Sequence, residues 1–258
     1  MSKAFAPRVT PWKIDASEFY ALKSFSERMH FLVRYAVLAP SSRNTQPWAF
    51  SIVDDGVHVY ADYTRRLPAV DPHDRELLMS VGAAITNFRV AAAHFGFRTD
   101  VRYAARATST EPVAFIEVVA TSWPDAALGA LFDAIPKRHT NRQMFNGKPL
   151  GPRSLSRLYD LLDAFPETLH LVLPDERQHA AELTEYAERL QMERPELRAE
   201  IAQWIRVDGQ ASTDGLPASA FGVPRLLAAG ASWFVRRFSV ALLHSGCCSA
   251  NSRPISRR

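Results

Sequence analysis

Cysteine is almost absent. The 258 residues contain two, Cys247 and Cys248, side by side. Adjacent thiols do not make a disulfide framework, and their spacing is not that of zinc ligands. Long apolar runs are missing too. The best approach to a membrane span, Leu226–Leu243, is broken by Arg236 and Arg237, and the opening MSKAFAPRVTPWKID has no apolar stretch of signal-peptide type. Glycine, with 11 residues, forms no G-x-G-x-x-G, no phosphate loop and no G-x-S-x-G elbow. A nucleotide-triphosphate loop protein, a dinucleotide-binding fold and a serine hydrolase therefore lack their motifs. Lysine is scarce: 5 of the 31 basic residues, the other 26 being arginine, against 27 acidic residues and a formal net charge of +4. The arginines are scattered, with SRPISRR the one local cluster. The expectation is a cytoplasmic protein with no nucleic-acid partner and no membrane.

What is present is ordinary globular composition, 47% hydrophobic and 22% charged, with clear periodicities. Phe25, Met29, Leu32, Val33, Ala36 and Val37 recur at helical spacing, Ser24 and Glu27 fit a capping box, and Pro40 ends the helix. Ala49–Val53 and Val57–Ala61 read as a hairpin joined by Asp55-Gly56. A second helix is predicted from about Asp74 to Phe95, with Gly96 as its stop and Gly82 marking close packing. Strands at Val101–Tyr103 and Val113–Ala120 follow, then a short helix from about Pro124 to Ile135-Pro136. The second half differs. Helices are predicted at about 152–164, 175–192, 195–205 and 225–243, with a single strand at Leu169–Leu173. The irregular stretch 206–224 has the length of a lid or a binding segment.

Two segments carry residues suited to chemistry. In Ala39–Trp48 the uncharged polar residues Ser41, Ser42, Asn44, Thr45 and Gln46 precede Pro47 and Trp48. Such side chains donate and accept hydrogen bonds without ionic cost, as a planar heterocycle with a polyol arm requires. A plain helix-to-strand connection with a core tryptophan is the other reading. In Ala134–Phe145, an extended backbone would put Arg138, Thr140 and Arg142 on one face, where a phosphate dianion would meet two guanidinium groups and a hydroxyl. The alternative there is an exposed basic linker. The run Asp71-Pro-His73-Asp74 is read as a helix start rather than a metal site, and His94 as a packed histidine. No metal ligands and no catalytic side chain are assigned.

At these segments the sequence resembles the flavin-dependent nitroreductase family. RYAVLAPSSRNTQPWAF matches its APS-x-x-N-x-QPW signature, and LPAVDPHDRELLMSVGAAITNFRVAAAHFGF resembles the segment and long helix that follow it. The internally duplicated, Acg-like branch fits best, since its members also carry an R-H-T-x-R stretch after the first half. The resemblance runs from about Phe25 to Phe145, and more loosely to about Phe221. It implies an α+β fold, a layered sheet flanked by helices, built as tandem pseudo-dimeric halves. The halves would be 1–133 and a degenerate, incomplete 134–258, ending in HSGCCSANSRPISRR where the family pattern is lost, as in a truncated product. It implies FMN as cofactor, with a cofactor-binding set in which Ser41, Ser42 and Asn44 reach the flavin, Gln46 and Trp48, with Pro47 between them, fix the loop, and Arg138, Thr140 and Arg142 hold the phosphate. NADH or NADPH would be the reductant and a nitroaromatic- or quinone-type small molecule the acceptor, in a pseudo-dimeric monomer or a homodimer. A non-catalytic flavin-sequestering protein with 206–224 as its lid is the alternative.

Overall fold

The structure is a computed structural model, and it describes residues 12–141, 148–164, 176–206, 213–218 and 228–237. These divide into two compact units, one within Met1–Asn141 and Ser212–Leu216, the other within Arg142–Ala211 and Pro217–Arg258.

The first unit is a four-stranded antiparallel sheet with helices against it. A short 3-10 helix, Ala16–Ala21, precedes α1 (Phe25–Ala36). α1 starts on a complete capping box: the Ser24 hydroxyl accepts the Glu27 N–H at 3.1 Å, and the Glu27 carboxylate accepts the Ser24 N–H at 2.9 Å. Strands β1 (Trp48–Val53) and β2 (Gly56–Ala61) form the expected hairpin, α2 (Arg75–His94) crosses over, and β3 (Phe97–Tyr103) and β4 (Ala114–Ala120) complete the sheet in the order β1-β2-β4-β3. Alternation decides which face is covered. Val57, Val59, Ala61, Ala114, Ile116 and Val118 point inward and are buried, with Phe50 and Ile52 packed beside them. α1 and α2 pack on each other and over that face. Phe19 stacks on Phe95 at 4.1 Å between ring centroids, and Tyr35 meets Phe132 at 4.7 Å. Burial pushes the Tyr35 phenol up to about 12.

Four details depart from the sequence expectation. The hairpin turn is Asp54-Asp55, and Gly56 is already in β2, paired with Val53 and Glu117. Its glycine is needed because a Cβ there would lie 2.1 Å from the Ile116 carbonyl oxygen. Gly82 marks no close packing, since a Cβ would meet nothing within 4 Å. β3 begins four residues earlier than predicted, at Phe97. Its alternation of Phe97, Thr99 and Val101 with Arg98, Asp100 and Arg102 suits a half-buried edge strand, whose outward charges hide the pattern. The expected helix near 124–136 splits into α3 (Ala126–Gly129) and a 3-10 helix, Phe132–Lys137, with Pro136 inside the latter. Gly96 does end α2 as expected, at φ 83°.

The second unit is helical: α4 (Pro152–Ala164), α5 (Arg177–Glu193), α6 (Pro195–Gln203) and α7 (Ala228–Arg237), with the two-residue strand β5 (Ile205–Arg206). Pro195 opens α6 at its first position, where a missing N–H costs nothing. Leu197, Ile201 and Ala202 of α6 are buried, as are Ala231 and Val235 of α7. Another two-residue strand, β6, is Leu216–Pro217. The predicted strand Leu169–Leu173 and the flanks of the last helix lie outside the described residues. No described helix is long and apolar enough to cross a membrane.

Candidate functional site

The loop between α1 and β1 has an unusual backbone. Arg43, Asn44 and Gln46 all lie in the left-handed region, at φ 51°, 55° and 52°. For residues with a Cβ this costs roughly 1 kcal/mol or more each, so the surroundings must enforce it. Local bonds do part of that. The Ser41 hydroxyl accepts the Gln46 N–H at 2.9 Å, while the Asn44 and Thr45 N–H groups donate to the carbonyls of Ser41 and Ser42 at 3.0 and 2.9 Å. The Ser42 N–H donates to the Ser80 hydroxyl at 3.2 Å, and the Ser42 hydroxyl donates to the Glu76 carboxylate, so α2 holds the loop from one side. Thr45, Pro47 and Trp48 are buried and anchor its exit in the core.

A distant segment holds the other side. Thr213–Gly215, part of the same unit, lies along Asn44–Gln46. The Gly215 N–H donates to the Asn44 carbonyl at 3.1 Å, the Asn44 amide donates back to the Gly215 carbonyl at 2.9 Å, and the Gln46 amide donates to the Thr213 carbonyl. Arg65 Nη1 reaches both the Thr45 carbonyl at 2.8 Å and the Asp214 carboxylate at 3.0 Å. Gly215 takes a φ of 71°, which lets the segment turn at that contact.

Ser41 and Ser42 also line a cavity of about 760 Å³, shared with residues 70–83, a volume typical of small-molecule sites. Asp71 is buried at its edge and acts as the helix-start residue the sequence suggested: its two carboxylate oxygens accept the N–H groups of Arg75 and Leu77 at 2.9 and 3.0 Å. Glu76, Met79 and Ser80 of α2 complete the wall. None of these three was marked by local sequence pattern.

Of the phosphate candidates, Arg138 comes to the start of the same loop. Its Nη2 donates to the Leu38 carbonyl at 3.3 Å, its guanidinium lies 5.8 Å from the centroid of the Trp12 ring, and its Nε is buried with no hydrogen-bond partner among the described residues. Burial holds its pKa below the ordinary arginine value. Thr140 is exposed. Arg142 lies outside the described residues. His94 is exposed rather than packed inside, yet it lies flat on Phe132 at 3.8 Å. No cluster of three metal-ligating side chains exists among the described residues.

No family model matches the chain. Comparison with curated proteins finds relatives. "Putative NAD(P)H nitroreductase Rv3131" of Mycobacterium tuberculosis is 32% identical over 125 residues, 48% of this chain and 36% of that protein. "Putative NAD(P)H nitroreductase acg" of the same organism is 28% identical over 188 residues, 73% of this chain and 56% of that protein. "Probable NAD(P)H nitroreductase PigM" of Serratia is 26% identical over 220 residues, 83% of this chain and 61% of that protein. These matches support a nitroreductase-type relationship. The chain spans between about a third and three fifths of the length of these relatives. Its mixed helix-and-sheet architecture agrees with the α+β expectation.

Proposed function

We propose that the chain is a nitroreductase-like FMN oxidoreductase, which takes electrons from NADH or NADPH and delivers them to a nitroaromatic- or quinone-type acceptor. The supporting observation is the loop at residues 41–46, held in a strained backbone beside a cavity of ligand size. Strain of this kind persists where surrounding contacts over-determine a site.

The residues fit the flavin's chemistry. The neutral hydroxyls and amides of Ser41, Ser42, Asn44 and Gln46 suit a heterocycle edge. The buried Nε of Arg138, which has no hydrogen-bond partner among the described residues, is the kind of donor that a phosphate satisfies. In this reading Arg138, Thr140 and Arg142 hold the phosphate and the loop holds the ring. Pro47 and Trp48 fix the loop from the core. The flavin supplies the two-electron transfer, and the protein supplies binding and orientation. The test is the visible spectrum of the purified protein, with chromatography of any cofactor released on denaturation. FMN at about one per chain, followed by NADH- or NADPH-dependent reduction of a nitroaromatic, is expected. A colourless protein that takes up no added FMN would overturn the reading.

One observation favours a second reading, a flavin-binding protein that does not turn over. Asn44 and Gln46, assigned to the flavin, are both engaged by Thr213–Gly215. As part of a lid, that segment would deny substrates access. Removal of residues 214–224 should then raise NAD(P)H oxidation, whereas an unchanged rate would sink this version.

A further inference from the structure

α5 has the sequence of a packed helix and the exposure of an unpacked one. None of its side chains is buried, and Leu183, Tyr186 and Leu190 are 55%, 53% and 43% exposed. Helices of this length are marginal by themselves, and most of their stability comes from packing an amphipathic face. Arg198 Nη1 ties α6 to the Met192 carbonyl at the C-terminal end of α5. The apolar face itself lies elsewhere. Ala180, Leu183, Ala187 and Leu190 recur at alternating spacings of three and four and make one stripe over two heptads. Glu182, Glu185, Glu188 and Arg189 fall on the opposite side of the helix. Tyr186 borders the stripe, with His179 one heptad before it and Glu193 one heptad after it on the same flank.

This arrangement is complementary to itself. Laid antiparallel on a second copy, Ala180 meets Leu190 and Leu183 meets Ala187, so every layer sets a small side chain against a large one. A parallel pair would stack alanine on alanine and leave gaps between the helices. Antiparallel pairing also brings each His179 to Glu193 of the partner subunit, where an imidazole N–H can donate to a carboxylate. The two Tyr186 rings then meet beside the two-fold axis. A two-fold interface demands this reciprocity, in which one residue contacts a second and the second contacts the first. We propose that the apolar face of α5 is a homodimer interface, occupied by α5 of a second copy of the chain in antiparallel orientation. Nothing in this pairing depends on flavin binding.

Sedimentation equilibrium of the full chain, from about 1 µM to about 1 mM, should show a reversible monomer–dimer equilibrium. Leu183→Glu puts a carboxylate into two of the layers and should raise the dissociation constant by about 100-fold or more. Leu183 is exposed in the single chain, so the thermal midpoint of this variant, taken at the lowest concentration, should match that of the native chain. The orientation has its own test. His179→Glu sets two carboxylates against each other at both ends of the pair and should weaken the dimer by about threefold or more. Adding Glu193→Lys to that variant should restore the affinity, because the pair is then remade with its charges exchanged. A parallel pair, or a dimer through another face, gives no restoration. That result overturns the interface, as does a dimer indifferent to Leu183→Glu or a chain that stays monomeric throughout.

Discussion

Asn44 and Gly215 bind each other twice, backbone N–H to carbonyl at 3.1 Å and side-chain amide to carbonyl at 2.9 Å, across 171 positions of sequence. The pair gives the left-handed Asn44 two functions, a backbone conformation and a latch. Asn44→Gly removes the side-chain bond of the latch but keeps the backbone bond and the conformation accessible, so it should cost about 1 kcal/mol. Asn44→Ala removes the same side-chain bond and adds the left-handed penalty, so it should cost about 1 kcal/mol more than the glycine variant. Urea denaturation of both variants measures the difference. Equal losses would mean that the backbone is not held as described.

Two glycines should respond to alanine with opposite signs. Gly82 sits mid-helix with open space around its Cβ position, so Gly82→Ala should raise stability by about 0.5–1 kcal/mol. Gly56 faces the Ile116 carbonyl oxygen at 2.1 Å, so Gly56→Ala should cost about 1–3 kcal/mol as β2 and β4 are forced apart. Thermal midpoints of the two variants decide both.

Arg138→Ala separates two roles for one guanidinium. If the side chain holds the flavin phosphate, FMN affinity should fall by about 10- to 100-fold, with Arg138→Lys recovering only part of it because lysine lacks the planar fork. If its bond to the Leu38 carbonyl is its whole function, stability falls and FMN affinity stays. Fluorescence titration of FMN against both variants distinguishes the two.

Acid should loosen the start of α1. The Glu27 carboxyl is held below its ordinary range, first by the Ser24 N–H, then by the Ser24 hydroxyl and the Lys23 N–H. A lowered folded-state pKa stabilises above the unfolded value and loses that contribution as pH falls through the folded one. The stability gap between the native chain and Glu27→Ala should therefore be constant near neutrality and close as the solution is taken through the carboxylate range. A gap that persists at pH 2 would contradict the capping box.

Local rules made much of the first unit legible. Ser24 and Glu27 announce the start of α1 three residues apart, and the in-out alternation of β1 and β2 reads directly as a hairpin. Gly56 shows the limit of such reading. Asp-Gly signals a turn in local terms, but the reason for this glycine is the carbonyl of Ile116 in a strand 60 positions away. The sequence offers Trp48 as a residue that fixes the loop or as a plain core tryptophan, and it is buried. At the candidate site, Ser41 and Ser42 were readable because the loop is local. Glu76, Ser80, Arg65 and Asp214 were not, because each meets the loop through tertiary packing that leaves no periodic trace.

The left-handed residues Arg43, Asn44 and Gln46 also bear on how tightly a ligand can be held. A loop that became ordered only on contact would spend part of each binding event on lost backbone freedom, about 1 kcal/mol or more for every residue fixed. Here folding has already met that entropy, because the contacts from α2 and from Thr213–Gly215 set the backbone in the free chain. Whatever docks against Ser41 and Ser42 meets a surface whose shape is decided beforehand, and few interactions then suffice for a firm complex.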